Sequence, residues 1–389
     1  MAETRFILAG NLIDGSGAGV RRDVYLAVKD TVITAIGPAA DLPRHAGAAV
    51  DDFSHCTILP ALIDCSVSLS RSPSVDPKVR LAEESGMEQK TAMVARHLRD
   101  CHAHGVLGVA ASDGENGLGL DGPGGTAPGM IDIRTGDLCR GGQDDGGDFL
   151  RIALSGNIDD DVPPPRLGHD HLCRLLQHRG GKKAVVVANG REQVAAALAA
   201  GCDAVEQGYG MGGENLREMA ARGVLWIPGV LRARNGLDGA RGGGSVCCRF
   251  SQRYAAPGKP VPGAEAFWKK VLADQLAQLR LAKELGVRTA VGTGAGSVGI
   301  LHGEAMVEEM KLLIKAGWSL EEAIRCASEN GARFFGIERL GMLAVGRRAT
   351  FLIARGSVKQ LPRKLSYLEG IYVDGAPSGA YRKDPVRAA

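Results

Sequence analysis

A helical pattern that stops at a glycine and runs straight into an apolar strand recurs along the chain, and this repeat restricts the possible folds more than any other feature. In "MEQKTAMVARHLRDCHAHG" the residues Met87, Thr91, Val94, Leu98 and Cys101 fall on one helical face, Gly105 ends the helix, and "VLGVAAS" follows. The unit returns as "REQVAAALAAG" before "CDAVEQG", as "ENLREMAARG" before "VLWIPGV", and as "FWKKVLADQLAQLRLAKELG" before "VRTAVGTG", with stops at Gly201, Gly223 and Gly286. A crossover helix carries the chain back to its starting edge, so the flanking strands run parallel. Adding "ILPALIDCSVSL", "GMIDIRTG", "DFLRIALSG" and "KKAVVVANG" predicts eight strands between about residues 57 and 294. Eight β/α units predict an α/β protein of the (β/α)8 TIM barrel type.

The two chain ends break this pattern. Residues 4–56 and 340–380 read as short strands and turns, including a hairpin in "DVYLAVKDTVITAIG" around Lys29 and Asp30. Either end alone is too small to hold a core. The expectation is one composite β domain, residues 1–58 with 340–389, flanking a barrel over residues 59–339. Two helices follow the eighth strand, and in the second Ser319 and Glu322 have the spacing of a capping box. The sequence "GHDH" places Asp170, between His169 and His171, as a helix N-cap.

Composition serves mainly to exclude. A chain of 389 residues with 44% hydrophobic content and a formal net charge of +3 has no general attraction for nucleic acid or an anionic membrane. No run of 18 apolar residues occurs, and "MAETRFILAG" lacks the charged and apolar regions of a signal peptide, so a cytoplasmic location is expected. The nine cysteines are scattered and never form CxxC, which points to reduced, mostly buried thiols; the adjacent Cys247 and Cys248 are read as two free thiols.

Four stretches, "NLIDGSG", "ILPALIDCSVSLS", "ANGREQVAAALAAGCDAVEQGYGM" and the segment from "GTGAGSVGILHGEAM" to "RRATFLIARG", resemble the metal-dependent amidohydrolase superfamily, nearest its imidazolonepropionase and prolidase-like branch. The resemblance covers nearly the whole chain. It implies a distorted (β/α)8 barrel, a small β-sandwich built from both termini, and one or two divalent metals at the C-terminal mouth of the barrel. It also assigns the ligand positions. The His-x-His pair of the first strand falls on Ser66 and Ser68, and the carboxylated lysine of the fourth falls on Arg151. The histidines of the fifth and sixth strands fall on Val187 and Gln207, and the aspartate of the eighth falls on Gly294. All six positions are substituted.

Hydrolysis of this kind needs a metal to lower the pKa of a bound water to about 7 and a carboxylate to take its proton. Hydroxyl and amide side chains are weak ligands, valine and glycine offer none, and a guanidinium repels a cation. No metal or other cofactor is therefore expected. Arg151, permanently charged, must pair with an acid such as Asp113 or with an anionic ligand. A Ser66 or Ser68 nucleophile lacks a base if Glu206, alternating with Gln207, points away from the lumen. His102 and His104 fall at a helix end, where the helix dipole accounts for them. His302, after the eighth strand, is a candidate ligand contact together with Arg151, Gln207 and Asp113.

Two functions follow from these residues. The first is an inactive amidohydrolase-like protein that binds a small, anionic molecule or serves as a homo-oligomer or the partner of another subunit. The second is a hydrolase of carbon–nitrogen bonds, in a cyclic amide or a dipeptide, by a metal-independent route.

Overall fold

A computed structural model describes residues 4–43, 49–74, 86–112, 131–137, 147–159, 167–240 and 262–379. Four strands open the chain: β1 (Thr4–Leu12), β2 (Arg21–Lys29), β3 (Val32–Pro38) and β4 (Ala49–Pro60). Seven more form the barrel wall: β5 (Leu62–Val67), β6 (Val106–Ala111), β7 (Asp132–Asp137), β8 (Phe149–Ala153), β9 (Lys183–Ala188), β10 (Ala204–Gln207) and β11 (Leu225–Ile227). Three close the chain: β12 (Phe351–Arg355), β13 (Leu368–Val373) and β14 (Ala376–Pro377). The described helices are α1 (Met87–Ala103), α2 (His169–Gln177), α3 (Arg191–Ala199), α4 (Gly212–Arg222), α5 (Val230–Ala240), α6 (Ala264–Leu285), α7 (Ala305–Lys315), α8 (Leu320–Cys326) and α9 (Glu329–Phe335).

The barrel strands pair in chain order from β5 to β11, and each described pair is parallel. Helical stops drive this arrangement. Gly223 and Gly286 end α4 and α6 in the left-handed region, at φ 66° and 74°, where a side chain would crowd the backbone. The eighth strand is not continuous. Residues 289–295 close the barrel through parallel bridges, Trp226 to Thr289 and Val67 to Ala295. Backbone hydrogen bonds complete the seam, from Cys65 N–H to Val291 O at 2.9 Å and from Gly294 N–H to Ser66 O at 2.8 Å. The left-handed turns at Gly294 and Gly296 interrupt the period of two that a ladder needs.

Both chain ends contribute to one seven-stranded sheet in the order β14-β13-β12-β4-β1-β2-β3. Its own core gathers Ile7, Leu26, Ile33, Ile58, Phe351 and Ile353, separate from the barrel core. The predicted strand "ILPALIDCSVSL" is divided: β4 belongs to this sheet, β5 to the barrel, with only Ala61 between them. Pro60 has no N–H to continue a ladder, which suits it to the switch. The hairpin turns at Asp30, φ 56°.

Several local expectations change. Val94, Leu98 and Cys101 are buried on α1, but Met87 is exposed, because the first turn of the helix projects beyond the packed part of that face. Asp170 lies in the first turn of α2 and does not cap it; Gly168 holds the N-cap position. The Ser319 and Glu322 capping box is present, with bonds of 3.1 and 2.6 Å. Of the described cysteines, none is bonded to another, and all but Cys173 are buried. No helix among the described residues is long and apolar enough to cross a membrane.

Candidate functional site

The ends of β5, β8 and β10 bring three side chains into contact. Ser66 donates its hydroxyl hydrogen to Glu206 Oε1 at 2.7 Å, and Arg151 grips the same carboxylate side-on, Nε to Oε2 at 2.9 Å and Nη2 to Oε1 at 3.0 Å. Glu206 is 2% exposed. The expectation that it points away from the lumen is thus corrected. Alternation ends with Glu206, because Gln207 adopts φ 71° and swings its amide sideways. There Gln207 donates to Asn157 Oδ1 at 2.6 Å and accepts from Ile158 N–H and Asn189 Nδ2, both at 3.1 Å. Arg151 has an acidic partner, Glu206; Asp113, like Cys247 and Cys248, lies outside the described residues.

A second arginine at the site, this one buried, was missed from the sequence. Arg232, in the first turn of α5, donates to Asp159 Oδ1 at 2.7 Å and to Ser297 Oγ at 2.7 Å. It fills the space beside Gly294, where an added Cβ would fall 2.4 Å from its Nη2. The signal available was the glycine itself: a position without a side chain, at a strand end facing the lumen, leaves room that another residue must fill. Beneath this layer Asp64 accepts from Thr293 N–H at 2.9 Å and Ser66 N–H at 3.2 Å, and also from the Thr293 hydroxyl.

Of the remaining positions, Val187 is buried on β9, in register with Glu206. Ser68, just beyond β5, is buried and uses its carbonyl to accept from His302 Nε2 at 2.8 Å. Ser66, Arg151 and Gly294 are therefore linked through Glu206, Arg232 and the barrel seam. Gln207 is engaged on a different side, and His302 sits apart against α1. His102 Nε2 lies 3.1 Å from Ser378 Oγ, next to the chain-end sheet.

The electrostatics follow from burial and pairing. Burial alone would push Glu206 up, but the charge and hydrogen bonds of Arg151, the Ser66 hydroxyl and the Arg232 charge hold it below the ordinary range. Burial would likewise lower Arg232, yet Asp159 and Glu206 keep it above its usual value. Asp64, buried without a cation in contact, is pushed up to about 6 despite its hydrogen bonds from Thr293 and Ser66. Glu309, buried while accepting from Leu231 N–H at 2.7 Å, is pushed up to about 8.

These donors do not fit a divalent metal. The Ser66 hydrogen is directed at Glu206, the Gln207 oxygen already accepts twice, Val187 and Gly294 offer no side-chain ligand atom, and the carboxylates of Glu206 and Asp159 are each held by a guanidinium. Among the described residues no group of three or more His, Cys, Asp or Glu side chains is arranged to hold a metal ion.

A parallel barrel joined to one sheet built from both chain ends defines the fold class. The chain belongs to the amidohydrolase family, whose model matches residues 170–380. Similar solved structures include a Xaa-Pro dipeptidase with methionine in its active site (TM-score 0.77, 19% identity, 97% of this chain and 100% of that one). Others are a putative prolidase from Bifidobacterium longum (0.74, 18%, 100% and 97%) and an A. niger ochratoxinase (0.75, 16%, 97% and 96%). The superpositions, at these identities, show the shared fold alone. No curated protein sequence matches the chain.

Proposed function

We propose that this chain is an amidohydrolase-family protein that does not carry out metal-dependent hydrolysis, its barrel mouth being held by ion pairs where the resemblance places a metal centre. The observation that carries this reading is the side-on Arg151–Glu206 pair, closed by the Ser66 hydroxyl. The Arg151 guanidinium, only partly exposed, is held by that buried carboxylate, so a cation that took the carboxylate would leave Arg151 unpaired. An anionic ligand would in turn have to compete with Glu206 for Arg151. The retained fold then serves small-molecule binding or association with another chain. Assays of dipeptides and cyclic amides, with zinc or manganese added and then chelated, test it. No turnover above background is expected, and turnover that appears with metal and disappears with chelator contradicts it.

The Ser66–Glu206 bond favours one second reading, a metal-independent hydrolase with Ser66 as nucleophile and Glu206 as base. Arg151 weighs against it, because a carboxylate held below its ordinary range is a poor proton acceptor. Amide turnover without metal that vanishes in Ser66→Ala would establish this route.

A further inference from the structure

The two arginines of the barrel mouth turn different edges to their carboxylates. Arg151 uses the fork of its guanidinium, Nε and Nη2, set side-on against the two oxygens of Glu206 at 2.9 and 3.0 Å. Arg232 does not use its fork. Its Nη1 alone meets Asp159, Oδ1 at 2.7 Å and Oδ2 at 3.0 Å, and the same nitrogen donates to Ser297 Oγ at 2.7 Å. Among the described residues neither Nε nor Nη2 of Arg232 reaches an acceptor, and neither is one of the fully buried polar atoms left without a partner. The fork therefore keeps contact with solvent, on a side chain that is only 6% exposed.

Packing holds this fork in place without covering its edge. An added Cβ at Gly294 would stand 2.4, 2.5 and 2.6 Å from Nη2, Cζ and Nε. Distances so nearly equal put the glycine against the face of the guanidinium, because an atom in line with the fork would be clearly nearer to both nitrogens than to the carbon. The N–H groups, lying in the guanidinium plane, point past it. Asp159 is itself fixed, since its segment is tied across the mouth: Asn157 Oδ1 accepts from Gln207 at 2.6 Å, Ile158 N–H donates to Gln207 at 3.1 Å, and the Gly156 carbonyl accepts from Asn189 at 3.1 Å. Arg232 thus has little rotamer freedom left to lose when a ligand binds, which lowers the cost of binding.

We infer that the fork of Arg232 is a binding site for the carboxylate group of a small organic acid, taken side-on through Nε and Nη2. A guanidinium fork matches a carboxylate in spacing and gives it two parallel charge-assisted hydrogen bonds. Such a ligand has no need to compete with Glu206 for Arg151, because it takes donors that no described protein group uses. The inference rests on the proposed reading of the barrel mouth as a small-molecule site. Binding and turnover are read separately, so a failure to bind leaves the metal-dependence assay standing, and metal-dependent turnover leaves the binding result standing.

Propionate, with propylammonium and propanol as matched cationic and neutral probes, tests it by ligand-observed NMR on the full chain at neutral pH. Propionate is expected to bind in preference to both. Arg232→Lys keeps a cation for Asp159 but has no fork, and should weaken propionate about ten- to a hundredfold, the range for one charge-assisted hydrogen bond. Arg234→Ala, at an exposed arginine paired with Asp238 on the same helix, should leave binding unchanged. Asp159→Asn keeps an acceptor for Nη1 and removes a charge that opposes the ligand, so propionate should bind more tightly; this variant decides the matter if the lysine variant does not melt cooperatively. No propionate signal at tens of millimolar, an alcohol or ammonium probe bound equally well, or an affinity unmoved by Arg232→Lys in a folded variant overturns the inference. So does an affinity unchanged or weakened in Asp159→Asn.

Discussion

The end of β10 and the turn before α7 treat buried polar groups in opposite ways. Around Glu206, each charged group has a counter-group within hydrogen-bond reach: Arg151 on one side, Ser66 on the other, and Asp159 on the neighbouring Arg232. Around His302, two buried acceptors, its own Nδ1 and Glu304 Oε2, have none among the described residues. Both regions are desolvated, so burial does not separate them. What separates them is pairing. A network of charges closed by folding satisfies itself, whereas a buried acceptor left without a donor is a cost that the rest of the fold must offset.

If that contrast holds, the largest effect belongs to Glu206→Ala. It strands the Arg151 guanidinium and the Ser66 hydroxyl, and should cost about 3–5 kcal/mol of unfolding free energy in urea titrations. Glu206 is held below its ordinary pKa, so its contribution is present above the unfolded-state value and is lost as pH falls through the folded-state value. The parent should therefore lose this stability in acid, and the variant should not. A cost under about 1 kcal/mol would mean the ion pairs are not what holds the barrel mouth.

Glu309→Gln sharpens the comparison from the alkaline side. With its folded pKa raised to about 8, Glu309 contributes stability that is fully present below the unfolded value of about 4.5 and is lost as pH rises through 8. Glutamine keeps an acceptor for Leu231 N–H and carries no charge. The variant should be more stable than the parent at pH near 9 by a few kcal/mol, with the gap closing in acid. Melting curves that stay parallel from acid to alkaline pH would remove Glu309 from the account. The smallest effect is expected at the turn before α7, where Glu304→Gln should change folding stability by less than about 0.5 kcal/mol. The Oε2 atom makes no hydrogen bond to lose. A large loss there would show that Glu304 helps to hold the turn.

Much of the fold was legible in the sequence because it rests on local signals. The glycine stops at Gly223 and Gly286 and the capping box at Ser319 act within a turn of their own residues. The amidohydrolase likeness was legible as well, and it led to Ser66, Arg151 and Gly294. Their partners were harder to see. Glu206 was turned the wrong way because strict alternation was carried one residue too far, past the left-handed backbone of Gln207. Arg232 was overlooked because its role depends on space at Gly294, 62 residues away in sequence, which only the closed barrel creates. The eighth strand was read as continuous, although its glycines reduce it to bridges. A sequence reports the side chain that a position has lost more readily than the distant one that moves in.

The central claim is that the barrel mouth holds ion pairs in place of a metal centre, and elemental analysis of protein purified without chelator tests it most directly. The account predicts well below about one equivalent of zinc, manganese or iron per chain, and a melting temperature unmoved by later chelation. About one or more equivalents, removed by chelator with a fall in melting temperature, would contradict it.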